Sequence, residues 1–264
     1  MTPGGAPRRF FEGERAPPEP YAEHVLALWT YDVDIPFGES ATHVMWPDGC
    51  VSLAVVSNEG VPVAASIVGP RLTALRVPVR CGQTMRGIRL WPDTASPVLR
   101  VDPFAIRELT RPALDLLGFD ALTLARAVAC ASDEEALDAV WEKWLAPRVA
   151  AAPLPDPAVR LVVRLLIDSD GTHDLAEAAS LAEMPVKRLD QRFLMAVGLR
   201  LKQFARVRRV RAATAAIMAG ERDIGRLAAR SGLPRAASFT REFAEVTGLK
   251  PVELMRQLDE MEQG

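Results

Sequence analysis

The chain has 264 residues, 49% of them hydrophobic and 25% charged, with a formal charge of −2. That composition describes one large or two ordinary globular domains and excludes a disordered chain. No run reaches the ~18–20 uncharged apolar residues of a membrane span, and MTPGGAPRRFFEGERAPPEP has no apolar signal core. Cys50, Cys81 and Cys130 are odd in number and far apart. They fit a reducing cytoplasm, and neither a disulfide framework nor a cysteine zinc site.

Residues 1–20 are rich in Pro, Gly and Arg without apolar periodicity and read as a disordered arm. From 21 to about 100 the texture is β. VSLAVV (51–56), ASIVG (65–69), LTALRVPV (72–79) and GIRLW (87–91) are short and aliphatic, separated by PDG, NEG, GP and CG turn signals. Such spacing predicts a barrel or sandwich. Helices are expected at 103–118 and 121–130, and another at 132–145, with Ser132 as N-cap and Glu135 completing a capping box. These helices form the tail of an N-terminal domain, 21–150. Pro-rich 151–157 reads as a linker.

Beyond it, 158–264 is helical. Apolar positions recur at three and four residues, and stops fall at Gly171, Gly198, Gly220, Gly232 and Gly248, giving about seven helices. This half repeats itself. Leu189, Phe193, Gly198 and Leu199 recur as Phe239, Phe243, Gly248 and Leu249; Leu175 and Ala179 recur as Ile224 and Ala228. The two offsets differ by one residue, which a turn between two helices would absorb. Each copy therefore reads as a helix-turn-helix, whose second helix enters the DNA major groove. Residues 201–220 contain no Pro, and no Gly before Gly220, so they predict one continuous connecting helix. About 18 residues at 1.5 Å each span roughly 27 Å, enough to set two recognition helices about one DNA turn apart.

Charge follows the same division. Residues 1–155 have a net charge of −5, whereas 184–250 hold 15 basic and 5 acidic residues. A near-neutral total thus conceals a basic segment of the kind nucleic acid attracts. Lys187, Arg188, Gln191 and Arg192 lie on the polar face of the first second helix. Arg235, Ser238, Thr240 and Arg241 lie on that of the other. Arg, Lys and Gln are the types that bond base edges, and Arg and Lys also bind phosphate. In RVRRVR (206–211), Arg206, Arg208 and Arg209 are phosphate candidates, a solvated helix face being the plain alternative; Arg241 has the alternative of a structural ion pair.

The stretch DIGRLAARSGLPRAASFTREFAEVTGLKPVELMR (223–256), with Gly232, Phe239, Arg241, Phe243, Gly248 and Pro251, resembles the DNA-binding domain of AraC/XylS-family transcription regulators. That resemblance covers about 158–260. It departs at Leu233 and Ala237 and, in the first copy, at Glu183 (for the turn glycine), Gln191 and Leu201. It implies base readers at Lys187, Asp190 and Gln191 and at Ala236, Ala237 and Arg241. With two alanines, the second helix has little hydrogen-bonding capacity, so the first is expected to supply more of the specificity. THVMWPDGCVSLAVV (42–56) with SIVGP (66–70) resembles the β-rich sensor half of some members. The implied fold is α+β in two domains, a cupin-like β-barrel with a helical tail followed by an all-α pair of helix-turn-helix units. The implied partners are promoter DNA, a small effector, a second copy and, for an activator, RNA polymerase.

Enzyme chemistry finds little support. His24 and His43 lack an H-x-H pair and a third ligand, so no metal or cofactor is expected. Ser40, Ser52 and Ser66 have no nucleophile elbow or base. Cys50 reads as a small core residue, with an effector pocket or oxidant sensing as alternatives. Trp141 and Trp144 share a helix face, for core packing or an interface. Two other functions stay open. An alkyl-transfer repair sensor would need an activated cysteine; an enzyme with a vestigial DNA-binding half would need a catalytic cluster.

Overall fold

The computed structural model describes residues 10–263. Eight antiparallel strands make two sheets. They are β1 (Phe10–Arg15), β2 (Val25–Val33), β3 (Ser40–Met45), β4 (Ser52–Asn58), β5 (Val61–Val68), β6 (Leu75–Arg80), β7 (Gln83–Leu90) and β8 (Thr110–Pro112). Six strands pair in the order β1-β2-β7-β4-β5-β8, and β3 pairs with β6. The register sets Ile88 beside Leu28 on one neighbour and Leu53 on the other. With Val25, Val55, Ile67 and Leu90 these fill one face of the large sheet. That face is covered by α1 (Ala95–Leu99), α2 (Ala113–Leu117), α3 (Phe119–Cys130) and α4 (Glu134–Ala150). Trp141 and Trp144 are both buried there, in accord with the core reading. The opposite face carries Trp29, Tyr31 and Met85, packed with Val77 and Val79 of the small sheet.

Three expectations need correction. Residues 10–15, placed in a disordered arm, form β1, in register with β2 from Phe10↔Val33 to Arg15↔Leu28; residues 1–9 lie outside the described residues. An edge strand completed by backbone pairing needs little apolar periodicity of its own, so its sequence hid it. The helix expected at 103–118 is a turn, then β8, then α2. The helix expected at 132–145 runs from Glu134 to Ala150, and its cap is Asp133, whose carboxylate accepts from Ala136 N at 2.8 Å. Ser132 instead donates to that carboxylate.

Residues 151–156 are non-helical, and Asp156 caps α5 (Pro157–Asp168), accepting from the backbone N–H of Ala158 and Val159. Then follow α6 (Leu175–Leu181), α7 (Val186–Val197), α8 (Leu201–Met218), α9 (Ile224–Arg230), α10 (Ala236–Thr247) and α11 (Pro251–Gln263). The repeat is structural. α6–α7 and α9–α10 are helix pairs whose turns share one bonding pattern, Met184 N to Ala179 O and Leu233 N to Ala228 O, both 3.0 Å. Small Ala179 and Ala228 are buried at the crossings, and Leu189, Phe193, Phe239 and Phe243 are buried beneath the second helices. The position filled by Gly232 (φ +67°) in one turn is filled by Glu183 (φ +51°) in the other. A left-handed non-glycine residue costs roughly 1–2 kcal/mol, and glycine's extra unfolded-state freedom costs about 0.5–1 kcal/mol. Glu183→Gly is therefore expected to stabilise the protein by about 0.5–1 kcal/mol, read from urea unfolding. Among the described residues no helix is long and apolar enough to cross a membrane.

The two halves are docked. Phe204 of α8 lies against Gly49, where a Cβ would meet its ring at 2.5 Å and where φ is +76°. Glycine is thus required there twice over. Trp46 packs into the core of the second helix-turn-helix unit, and Leu72 and Trp91 into that of the first. Ala74 N donates to Val246 O. Arg160 pairs at 2.6 Å with Asp93, which is almost fully buried, and Arg160 and Arg164 both reach Glu23.

Candidate nucleic-acid interface

α7 buries Leu189, Phe193 and Val197, so its first turns must turn outward. Lys187 and Arg188 are exposed and make no side-chain hydrogen bond or ion pair among the described residues. Gln191 is exposed one turn on, at the rim of an open groove between α7 and the segment 93–102 of the N-terminal half. α10 repeats the arrangement. It buries Phe239, Phe243 and Val246, exposes Arg235, Ala236, Ala237 and Arg241, and half-buries Ser238 and Thr240. Arg241 has no ion-pair partner among the described residues, against the structural alternative. Each helix therefore presents free cations from its N-terminal half, where a recognition helix meets base edges and phosphate.

Five of the expected DNA contacts are committed elsewhere. Asp190, expected to read a base, pairs with Arg200 at 2.6 Å and accepts from Leu201 N at 2.9 Å, capping α8. Arg192 pairs with Asp156. Arg206 pairs with Glu245 at 2.9 Å. Arg209 binds Glu242 and the carbonyl of Gly171. Arg208 is mostly buried near Cys50 and Asp48 at the domain contact, where burial lowers its pKa from the ordinary guanidinium value. The reason is the packing of α8 on three sides. Positions 204, 208 and 211 share the stripe against the N-terminal half, whereas 206 and 209 face α10.

The effector-pocket alternative raised for Cys50 leads to a second site, whose wall includes Cys50 and which sequence reasoning did not otherwise outline. A cavity of about 450 Å³ opens between the two sheets and is closed by the DNA-binding half. Trp29, Tyr31, His43, Met45, Leu75 and Met85 line it from one side, and Arg211, Met218, Leu249, Leu254 and Leu258 from the other. Trp29 Nε1 is buried without an acceptor among the described residues. Burial pushes the His43 pKa down to about 4, so the imidazole is neutral at physiological pH. Asp48 at the wall pairs with Arg89 at 2.5 Å and approaches Arg211 at 3.9 Å; Arg89 also pairs with Glu14 at 2.6 Å. Burial works to raise the Asp48 pKa, but Arg89, then Arg211, and the Cys50 amide outweigh it and hold it low. Burial, and then Asp48, push the Cys50 thiol far up. That disfavours a thiolate at Cys50 to accept an alkyl group. The helical spacing of Phe204 and Arg211 was the available signal, since both had to meet something on one side of α8.

Two helix-turn-helix units with free cations on both second helices define a class, the DNA-binding regulators. Residues 178–257 match the family model described as a helix-turn-helix domain, and residues 13–111 match a domain of unknown function (DUF6597). The C-terminal half thus carries a helix-turn-helix domain. A comparison with curated proteins matched none. Among solved structures, ToxT from Vibrio cholerae O395 is similar at 11% identity and a TM-score of 0.46, covering 95% of this chain and 98% of its own. Unsaturated fatty acid-bound wild-type ToxT from Vibrio cholerae strain SCE256 is similar at 13% identity and a TM-score of 0.41, covering 94% and 93%. The C-terminal domain of AraT, a response regulator from Geobacillus stearothermophilus, is similar at 19% identity and a TM-score of 0.37, covering 39% and 86%.

Proposed function

We propose that the protein is a cytoplasmic, sequence-specific transcription regulator whose α7 and α10 enter adjacent major grooves of promoter DNA. The observation that carries this is the pair of free cationic faces, Lys187–Arg188 and Arg235–Arg241, each at the start of a second helix in a matched helix-turn-helix domain. The base readers in this reading are Lys187 and Gln191 on one helix and Arg241 on the other, with Ala236 and Ala237 offering apolar contact to thymine methyls. The N-terminal half is the regulatory one. Its cavity joins aromatic and aliphatic walls to Arg76 and Arg211, with Arg71 paired to Glu108 and Arg89 to Asp48 and Glu14, and so suits a small apolar molecule with an acidic group. A ligand there would touch both halves and alter their docking. A second copy bound through the N-terminal half, and RNA polymerase for an activator, are the further partners.

Selection of genomic fragments by the purified full chain tests this reading. It should enrich a site with two half-sites about one turn apart. Log K should fall against log salt with a slope on the order of −4 to −7, about 0.9 per neutralised phosphate. Enrichment of no sequence, or a slope near zero on an enriched one, refutes it.

A further inference from the structure

The ion-paired arginines Arg206 and Arg209 of α8 form a device of their own. Arg206 and Arg209 lie one turn apart on α8, and Glu242 and Glu245 one turn apart on α10. They pair as a two-rung ladder, Arg206 with Glu245 at 2.9 Å and Arg209 with Glu242 at 2.9 and 3.0 Å. The inner rung is largely withdrawn from water, with Arg209 19% and Glu242 18% exposed. Arg209 also reaches the other way. Its third nitrogen donates to Gly171 O at 3.0 Å. Gly171 leads into the first helix-turn-helix unit and rests on α8 so closely that a Cβ would meet Ala205 O at 2.2 Å. One planar guanidinium therefore holds the entrance of the first unit and the recognition helix of the second.

Apolar packing alone would fix this arrangement poorly. Phe239, Phe243 and Val246 hold α10 on Val210, Ala213 and Ile217 of α8, but such burial is non-directional and tolerates rotation or sliding. An arginine fork held at a carboxylate and a backbone carbonyl is directional. Rotation of α10 would carry Arg241, which neighbours Glu242 in sequence, away from its groove.

We propose that Arg209, held between Gly171 O and Glu242 and seconded by Arg206–Glu245, is the positioning residue that sets α10 relative to α7 and so selects the spacing between DNA half-sites. This rests on the reading that both helices enter DNA. At the first unit the counterpart weld is Asp190, which ties α7 to the N-terminus of α8.

The test is selection by the full chain from a pool of randomised 30-base-pair duplexes, with spacing among enriched sites as the readout. The unaltered protein is expected to favour one spacing over the next by tenfold or more. Glu242→Gln, and Arg209→Lys, which keeps the charge but loses the fork, should reduce that preference to threefold or less. The double change Arg209→Met with Glu242→Leu leaves no buried charge unpaired and should do the same should a single variant fail to fold. Lower melting temperatures with the spacing preference intact would make the ladder merely structural and overturn the inference, leaving the DNA reading in place. Enrichment by the unaltered protein of nothing, or of a single half-site, would overturn both.

Discussion

Replacing Lys187 and Arg241 together by alanine is expected to lower specific DNA affinity by roughly 30-fold to 10⁴-fold. Each good base contact contributes about 1–3 kcal/mol, and 1.4 kcal/mol is tenfold. The two residues lie on different helices, so their losses should add. Neither is ion-paired among the described residues, so the fold should be unaffected and the melting temperature should move by less than that of a core variant. The split between helices carries more information than the sum. Arg241 is flanked on its exposed face by Ala236 and Ala237, whereas Lys187 has Arg188 and Gln191 for neighbours. Lys187→Ala and Gln191→Ala should relax base preference in the first half-site, as binding across single-base variants would show. Unchanged preferences in both variants would refute the assignment of specificity to α7. Arg188→Ala should instead weaken all sequences alike and reduce the salt slope by about 1, as a phosphate contact does.

The second half of the fold was legible because its information is local. The helix-turn-helix repeat, the left-handed glycines at 198, 232 and 248 and the uninterrupted α8 each depend on neighbours within a few residues. Even the anomaly of Glu183 in place of a glycine was visible, and its backbone is left-handed as the repeat requires. What stayed hidden was non-local. RVRRVR looked like a phosphate patch because a helix so rich in arginine has that charge wherever its partners are. Only the fold brings Glu242 and Glu245 to one side of it and Asp48 to the other. Asp190 misled for the same reason, since the amide it caps lies eleven residues on, at the start of the next helix. β1 and β8 were missed because edge strands take their structure from a neighbour's backbone. The interdomain cavity stayed hidden for the same reason, being a space between sheets closed by another domain, with only the α8 stripe of Phe204 and Arg211 and the effector-pocket alternative for Cys50 pointing to it.

Replacement of Arg89 by methionine is expected to cost about 3–5 kcal/mol, the usual result of stranding a buried charge, against a total stability of about 5–15 kcal/mol. Arg89 is the shared cation of two carboxylates, at 2.5 Å from Asp48 and 2.6 Å from Glu14. Arg211 stands farther off, at 3.9 and 3.6 Å, so Arg211→Met should cost under ~1 kcal/mol. Arg211 is nevertheless the member of this network that belongs to α8. Its loss should therefore leave urea unfolding almost unchanged and the halves still docked through Phe204, Trp46 and Arg160, while weakening the shift in DNA affinity that a cavity ligand causes. Acid tests the same network from the other partner. The Asp48 pKa is held below its ordinary value in the fold, mainly by Arg89 against the opposing effect of burial. Its contribution is full above the unfolded value near ~3.9 and is lost as pH falls through the lower folded one. Trp46 packs against the second helix-turn-helix unit and reports on the docking. Its fluorescence, taken as the difference from Trp46→Phe, should hold steady down to the ordinary aspartate range and change below it. In Asp48→Asn that step should vanish, and a step of unchanged size there would assign the acid transition to other carboxylates and remove Asp48 from the link between the halves.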